Sequence, residues 1–183
     1  WNIECVASLN GNSSSLVLGT AEDGTDGFDV EYDQPSPPNP PSNFVSIYTY
    51  HIEWENPLGN NFNQDILNEI PLDDTMQIWE INLISDNGGS TDVVFNFSDN
   101  IPVVPVFIYQ ETDTRRNNRE IIYKEQITNG ESYTFDLEPN TNQIFYLAIG
   151  DITPPELAVT YPNGLEILQS GEEATFGWEA TDG

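Results

Sequence analysis

The densest run of reactive side chains is a loop of carboxylates, Asp23, Asp26, Asp29, Glu31 and Asp33, set among glycines in GTAEDGTDGFDVEYD. Carboxylates crowded this closely raise one another's pKa unless a cation or solvent separates them. Hard oxygen donors of this kind suit calcium. Asp23, Asp26 and Asp29 recur at every third residue, and Asp26 and Asp29 bracket Phe28, whose ring would anchor the loop on a core. The spacing is not that of the helix-loop-helix calcium motif, so a solvated acidic loop competes with calcium here. Asp73-Asp74 and Asp86-Asn87 suit turns better than ligation.

Nucleophilic chemistry has little to work with. Cys5 is the sole cysteine and His51 the sole histidine, and neither has a local partner. A Cys5–His51 dyad would need convergence across the fold, whereas a buried Cys5 in a first strand needs none. The glycine-rich loop lacks the Lys-Ser/Thr ending of a phosphate loop. No two carboxylates are singled out at glycosidase spacing, so no catalytic or cofactor-binding residue is assigned and the chain reads as a non-enzyme. Lys124, the only lysine, lies beside Tyr123; an isopeptide bond to Asn or Asp is weighed against a solvent-facing, charge-compensating role. Tyr32, Trp54 and Tyr109 are the candidate exposed rings for stacking on a sugar. Asn12 and Asn96 begin formal glycosylation sequons.

The elements that must position these groups are strands. The 183 residues carry 31 acidic side chains against Arg115, Arg116, Arg119 and Lys124, a formal charge of −27. Such a surface repels nucleic acid and anionic membranes. No apolar run approaches the length of a membrane span, and no signal-peptide pattern opens the chain. One cysteine allows no internal disulfide, which a domain of this size does not require. Scattered Pro and Gly among β-branched and aromatic runs argue against a helical bundle.

Residues 1–18 read as two short strands around Asn10-Gly11-Asn12. Pro35, Pro37, Pro38, Pro40 and Pro41 then impose an extended strap across the outside of a sandwich. In FVSIYTYHIEW (44–54), the side bearing Phe44, Tyr48, Tyr50 and Trp54 is the expected core face. DILNEI in the next connection is expected to make a helical turn or two. MQIWEINLIS and TDVVFNFSD flank Asp86-Asn87-Gly88-Gly89, whose glycines supply the positive φ of a tight hairpin. IPVVPVFIYQ, REIIYKE, ESYTFDL and NQIFYLAIG add four strands separated by turn residues. The pattern predicts an all-β chain with an antiparallel β-sandwich over 1–152 and Trp79, Ile81, Phe95, Phe97, Phe135 and Tyr146 in its core. Pro154-Pro155 marks a joint at 153–156. Strands expected at 157–161, 165–168 and 174–178 cannot close a core by themselves. Either they are an incomplete second domain or another chain completes them.

Gly19-Thr20, Glu22-Asp23, Asp26-Gly27-Phe28-Asp29 and the strap from Pro35 to Pro41 come in an order that resembles a β-sandwich repeat module of large secreted or cell-surface bacterial multidomain proteins. The Trp79 strand and the run from ESYTFDL to QIFYLAIG resemble that family's closing sheet. LAVTYPNGLEILQSGEEATFGWEAT is similar to the start of a bacterial immunoglobulin-like surface domain, departing from it at Leu165 and at Phe176-Gly177-Trp178. The resemblance implies a secreted or cell-surface location, a partial immunoglobulin-like segment over 157–183, and a structural or adhesive module assembled with neighbouring domains or other copies of the chain. It brings no catalytic residue. A carbohydrate-binding accessory module and, less favoured, a glycoside hydrolase fragment are the competing functions, with carbohydrate as the candidate partner.

Overall fold

A computed structural model describes residues 1–72, 75–113, 119–150, 156–161 and 177–181. Asp73-Asp74 and the strands expected at 165–168 and over 174–176 lie outside the described residues. The chain divides into two units, Trp1–Asp151 and Ile152–Gly183. The first contains β1 (Asn2–Leu9), β2 (Asn12–Ala21), a two-residue β3 (Gln34–Pro35), β4 (Val45–Tyr50), a single 3-10 turn (Ile52–Trp54) and β5 (Asn61–Asn68). It continues with β6 (Met76–Ser85), β7 (Gly89–Phe97), β8 (Val106–Asp113), β9 (Arg119–Gln126), β10 (Ser132–Leu137) and β11 (Gln143–Gly150). Among the described residues no helix is long and apolar enough to cross a membrane.

Two layers pack face to face, one running β10-β7-β1-β2-β5 and the other β4-β6-β11-β8-β9. β5 belongs to both: Asn61 and Phe62 pair with Tyr50 and Thr49 of β4, while residues 64–68 pair with 17–21 of β2. The β2–β5 pairing is parallel, and the other described pairings are antiparallel. Period-two alternation fills the space between the layers. Ile3, Cys5 and Ala7 of β1 and Val93 and Phe95 of β7 face Trp79, Ile81 and Leu83 of β6 and Phe145, Leu147 and Ile149 of β11. Phe135 of one layer stacks on Phe145 of the other with ring centroids 4.7 Å apart.

Asn10 and Gly11, both at positive φ, turn β1 tightly into β2 as the sequence predicts. Four expectations change, the core membership of Tyr146 and Phe97 counting as one. The aromatic side of β4 is not its core face: Val45, Ile47 and Thr49 are buried while Tyr50 is exposed, because the smaller branched side chains fit between the layers. Tyr146 is only partly buried; Phe145 and Leu147 on either side of it take the core positions, and Tyr146 stacks on Tyr109 instead. Phe97 lies at the core margin. Asp65 to Asn68 of DILNEI form the end of β5 rather than a helical turn, since β2 supplies their backbone with ladder partners.

The fourth change concerns Asp86 to Gly89. β6 pairs with β4 and β11, and β7 pairs with β1 and β10, so these residues are not a hairpin but an arch from one layer to the other. The β10–β11 connection makes the matching arch, and the two are bonded together. Asn140 N–H donates to the Ser85 carbonyl at 2.8 Å and Asn140 Nδ2 to the Asp86 carbonyl at 3.1 Å. The Asp86 carboxylate accepts the N–H groups of Asn43 at 2.5 Å and Phe44 at 3.0 Å, tying the end of the proline strap to the same point. Its carboxylate thus cross-links the strap to the arch rather than closing its own turn.

In the second unit, β12 (Glu156–Tyr161) pairs antiparallel with β13 (Gly177–Thr181), and Val159, Tyr161 and Trp178 are exposed.

A Cβ on Gly88 would stand 2.6 Å from the Leu137 carbonyl oxygen and 2.8 Å from Pro139, at a φ of +64°. Gly88→Ala is therefore expected to destabilise the fold by about 3 kcal/mol. Gly130→Ala, at φ +78° but facing open space, should cost only about 1 kcal/mol. Urea midpoints of the two variants check the difference.

Candidate functional site

The polar groups with the most chemical potential gather where β4, the 3-10 turn, β5 and the acidic loop meet. Glu55 at φ 47° ends the turn and returns the chain to β5, so that His51 from just beyond β4 faces Asp65 of β5. His51 Nε2 is 2.7 Å from Asp65 Oδ2, and Nδ1 is 3.0 Å from Glu53 Oε1. With a carboxylate at each ring nitrogen, the imidazolium is the form that donates to both. Burial works against that charge, but the Asp65 and Glu53 carboxylates outweigh it and raise the His51 pKa above its ordinary 6.5. Asp65 is fully buried, so the histidine is its counter-charge; Asp65 Oδ1 has no partner.

Aromatic rings enclose the pair. His51 lies parallel to Trp54 with centroids 3.7 Å apart, a geometry that favours a cationic ring over the indole face. Trp54 meets Phe62 edge-on at 4.7 Å, and Phe28 of the acidic loop packs 5.8 Å from Phe62. Phe28 anchors the loop on these rings, as its position between Asp26 and Asp29 predicts.

The acidic loop is held chiefly by its own backbone. Asp33 is buried, and its two carboxylate oxygens accept N–H groups from Asp29 at 2.6 Å and from Ile66 of β5 at 3.0 Å. Asp29 C=O in turn accepts the N–H groups of Tyr32 and Asp33. Burial pushes the Asp33 carboxyl above its ordinary 3.8; the two N–H donors hold it back in part, while Asp65 and Asp29 push it further. Asp23 accepts the Tyr32 hydroxyl. That bond, with burial and neighbouring carboxylates, pushes the tyrosine up to about 12. Asp29 Oδ2 is buried without a partner, whereas Asp26 and Glu31 are exposed. Among the described residues no three His, Cys, Asp or Glu side chains are placed to hold a metal ion.

This arrangement answers several expectations residue by residue. Cys5 is fully buried in β1, burial pushes its thiol far up, and both nitrogens of His51 are engaged elsewhere, so the two form no dyad. Tyr109 is buried against Tyr146, which withdraws it from the exposed rings, while Trp54 is partly buried with one face against His51. Tyr32 is partly buried and engaged with Asp23. Lys124 is exposed and sits 4.7 Å over the Phe107 ring. The sequence singled out neither Asp65 nor Glu53. Their signal is Asp65 beside Ile66 in a strand flanked by apolar residues, legible only once 61–68 is read as a strand.

The folded state holds the His51 proton more tightly than the unfolded chain does. The stability it brings is therefore complete below about 6.5 and is lost as pH rises through the higher folded value. Melting temperatures should fall across that window in the natural chain. His51→Leu, which leaves Asp65 buried and uncompensated, should flatten this step and cost about 3 kcal/mol at pH 6. Asp33→Ala removes two charge-assisted bonds and should also cost about 3 kcal/mol, read by urea denaturation.

The chain matches no family model, no curated protein and no solved structure, so the roles of His51, Asp65 and Asp33 rest on their geometry here.

Proposed function

We propose that the chain is a non-catalytic structural module of an extracellular or cell-surface adhesive protein, set beside neighbouring domains of its own polypeptide or other copies of itself. The carrying observation is the engagement of His51 and Asp33. His51 is held between Asp65 and Glu53, and both oxygens of Asp33 are taken by backbone N–H groups. A general base needs a nitrogen or oxygen free to take a proton from a substrate, and these groups have none to offer. A lone cysteine in the core also suits an oxidising compartment, because a buried thiol is out of reach of oxidants. The resemblance of the acidic loop and strap to bacterial surface modules points the same way.

The residues from 157 onward fit an immunoglobulin-like segment or strands shared with another subunit. Exposed Val159, Tyr161 and Trp178 on a two-stranded pair support a covering neighbour of either kind.

Two measurements test this reading. Antibody raised against the chain should label intact producing cells or their medium; labelling only after lysis would contradict it. The purified chain should release no sugar from a panel of polysaccharides, and turnover that disappears in Asp65→Asn would replace the structural reading with a hydrolase.

A further inference from the structure

One surface of this protein is free of charge. The strap from Ser36 to Pro40 stands over the start of β2 and the start of β4 and leaves a cavity of about 330 Å³. Ser13, Ser14, Ser15, Asn39, Ser46 and Asn63 give it hydroxyl and amide walls, and Pro37, Pro38, Pro40 and Phe44 add apolar surface. A second cavity of about 280 Å³ shares Ser36, Pro37, Pro38, Asn39 and Ser46 with the first and extends to Tyr50, Leu58 and Asn60. No Asp, Glu, Lys, Arg or His lines either one, in a chain where 19% of residues are charged.

We propose that these two adjoining recesses beside the strap are a binding site for a neutral oligosaccharide. Ser hydroxyls and Asn amides each donate and accept hydrogen bonds, which is what sugar hydroxyls require of a partner. The faces of the strap prolines and the ring of Tyr50, 45% exposed, offer apolar surface to the C–H faces of sugar rings. Asn63 Oδ1 is the one buried polar atom among the lining side chains that has no partner in the fold.

The groove is also built in advance of a ligand. Proline fixes φ along the strap. Ser36 N–H donates to the Asn61 carbonyl at 2.8 Å and the Ser14 hydroxyl accepts Ile47 N–H at 3.3 Å, joining strap, β2, β4 and β5. Preorganised walls reduce the ordering cost of binding. The protein's net charge of −27 sets the sign of selectivity. Acidic glycans and acidic peptides are repelled by the surrounding field, and the bordering carboxylate, Asp86, is already engaged by the N–H groups of Asn43 and Phe44. Each cavity is near the lower end of the size range of small-ligand sites, and the two share the strap residues 36–39 as a wall.

The inference does not depend on the structural reading above, since a structural module with or without this site stays non-catalytic. Its test is calorimetry and amide-shift mapping with cellotetraose, maltotetraose, mannotetraose and xylotetraose, beside tetragalacturonate and an uncharged Ser/Asn/Pro peptide. At least one neutral tetrasaccharide should bind with a dissociation constant below about 10 mM, with shifts concentrated at 12–15, 36–46 and 58–63. Tetragalacturonate should bind at least about tenfold more weakly. Tyr50→Ala and Asn39→Asp change exposed side chains; each should weaken binding about tenfold with the melting temperature unchanged. No binding by any of the four, shifts elsewhere, equal binding of tetragalacturonate, insensitivity to both variants, or binding of the peptide alone would overturn the assignment.

Discussion

A carboxylate enclosed by protein must be neutralised or fully hydrogen-bonded, and that constraint governs this chain because cations are so scarce in it. Arg115, Arg116, Arg119 and Lys124 all fall within ten residues of one another, at and around the β8–β9 connection. Asp65 is buried in β5, a strand that pairs with β4 at one end and β2 at the other. Its counter-charge is His51, and the position of that ring settles much of what surrounds it. The ring requires the 3-10 turn that brings Trp54 over its face, and Trp54 and Phe62 form the platform on which Phe28 seats the acidic loop. The rings around one ion pair thus seat the acidic loop, whose own backbone bonds hold its shape, beside the parallel β2–β5 ladder.

Elsewhere backbone N–H groups take the place of the missing cations. Asp33 accepts two of them and ties the loop to β5; Asp86 accepts two and ties the strap to the arches. A carboxylate used in this way keeps its charge while fixing backbone geometry. The same economy leaves the strap groove lined by serine, asparagine and proline. The fold is stitched by acids at its turns, and no charged side chain lines the two recesses beside its strap.

Much of the fold is legible in the amino-acid sequence because period two is a local signal. The strands with Trp79, Phe95, Phe135 and Phe145 announce themselves, and Asn10-Gly11 marks its turn. Pairing partners are not local. Asp86 to Gly89 carries the composition of a hairpin, since an arch between layers needs the same positive φ at Gly88 and Gly89; only the long-range competition of β4 and β11 for β6 tells the two apart. β5 fails for a related reason, as Ile66, Leu67 and Ile70 fit helical spacing until β2 pairs with Ile66 and Leu67. At the candidate site, the acid density from Asp23 to Asp33 is visible in the sequence, but the sorting of those acids is not. Whether Asp33 meets backbone N–H groups and Glu31 meets water depends on how β5 runs beneath the loop.

The central claim is that His51 is held as an imidazolium by Asp65, and its single-histidine sequence makes the claim directly measurable. A proton NMR titration follows one imidazole C–H signal, with no assignment problem. The account predicts a midpoint above 6.5 in the natural chain, and a lower midpoint in Asp65→Asn. A midpoint at or below 6.5, or one that Asp65→Asn leaves unmoved, would contradict it.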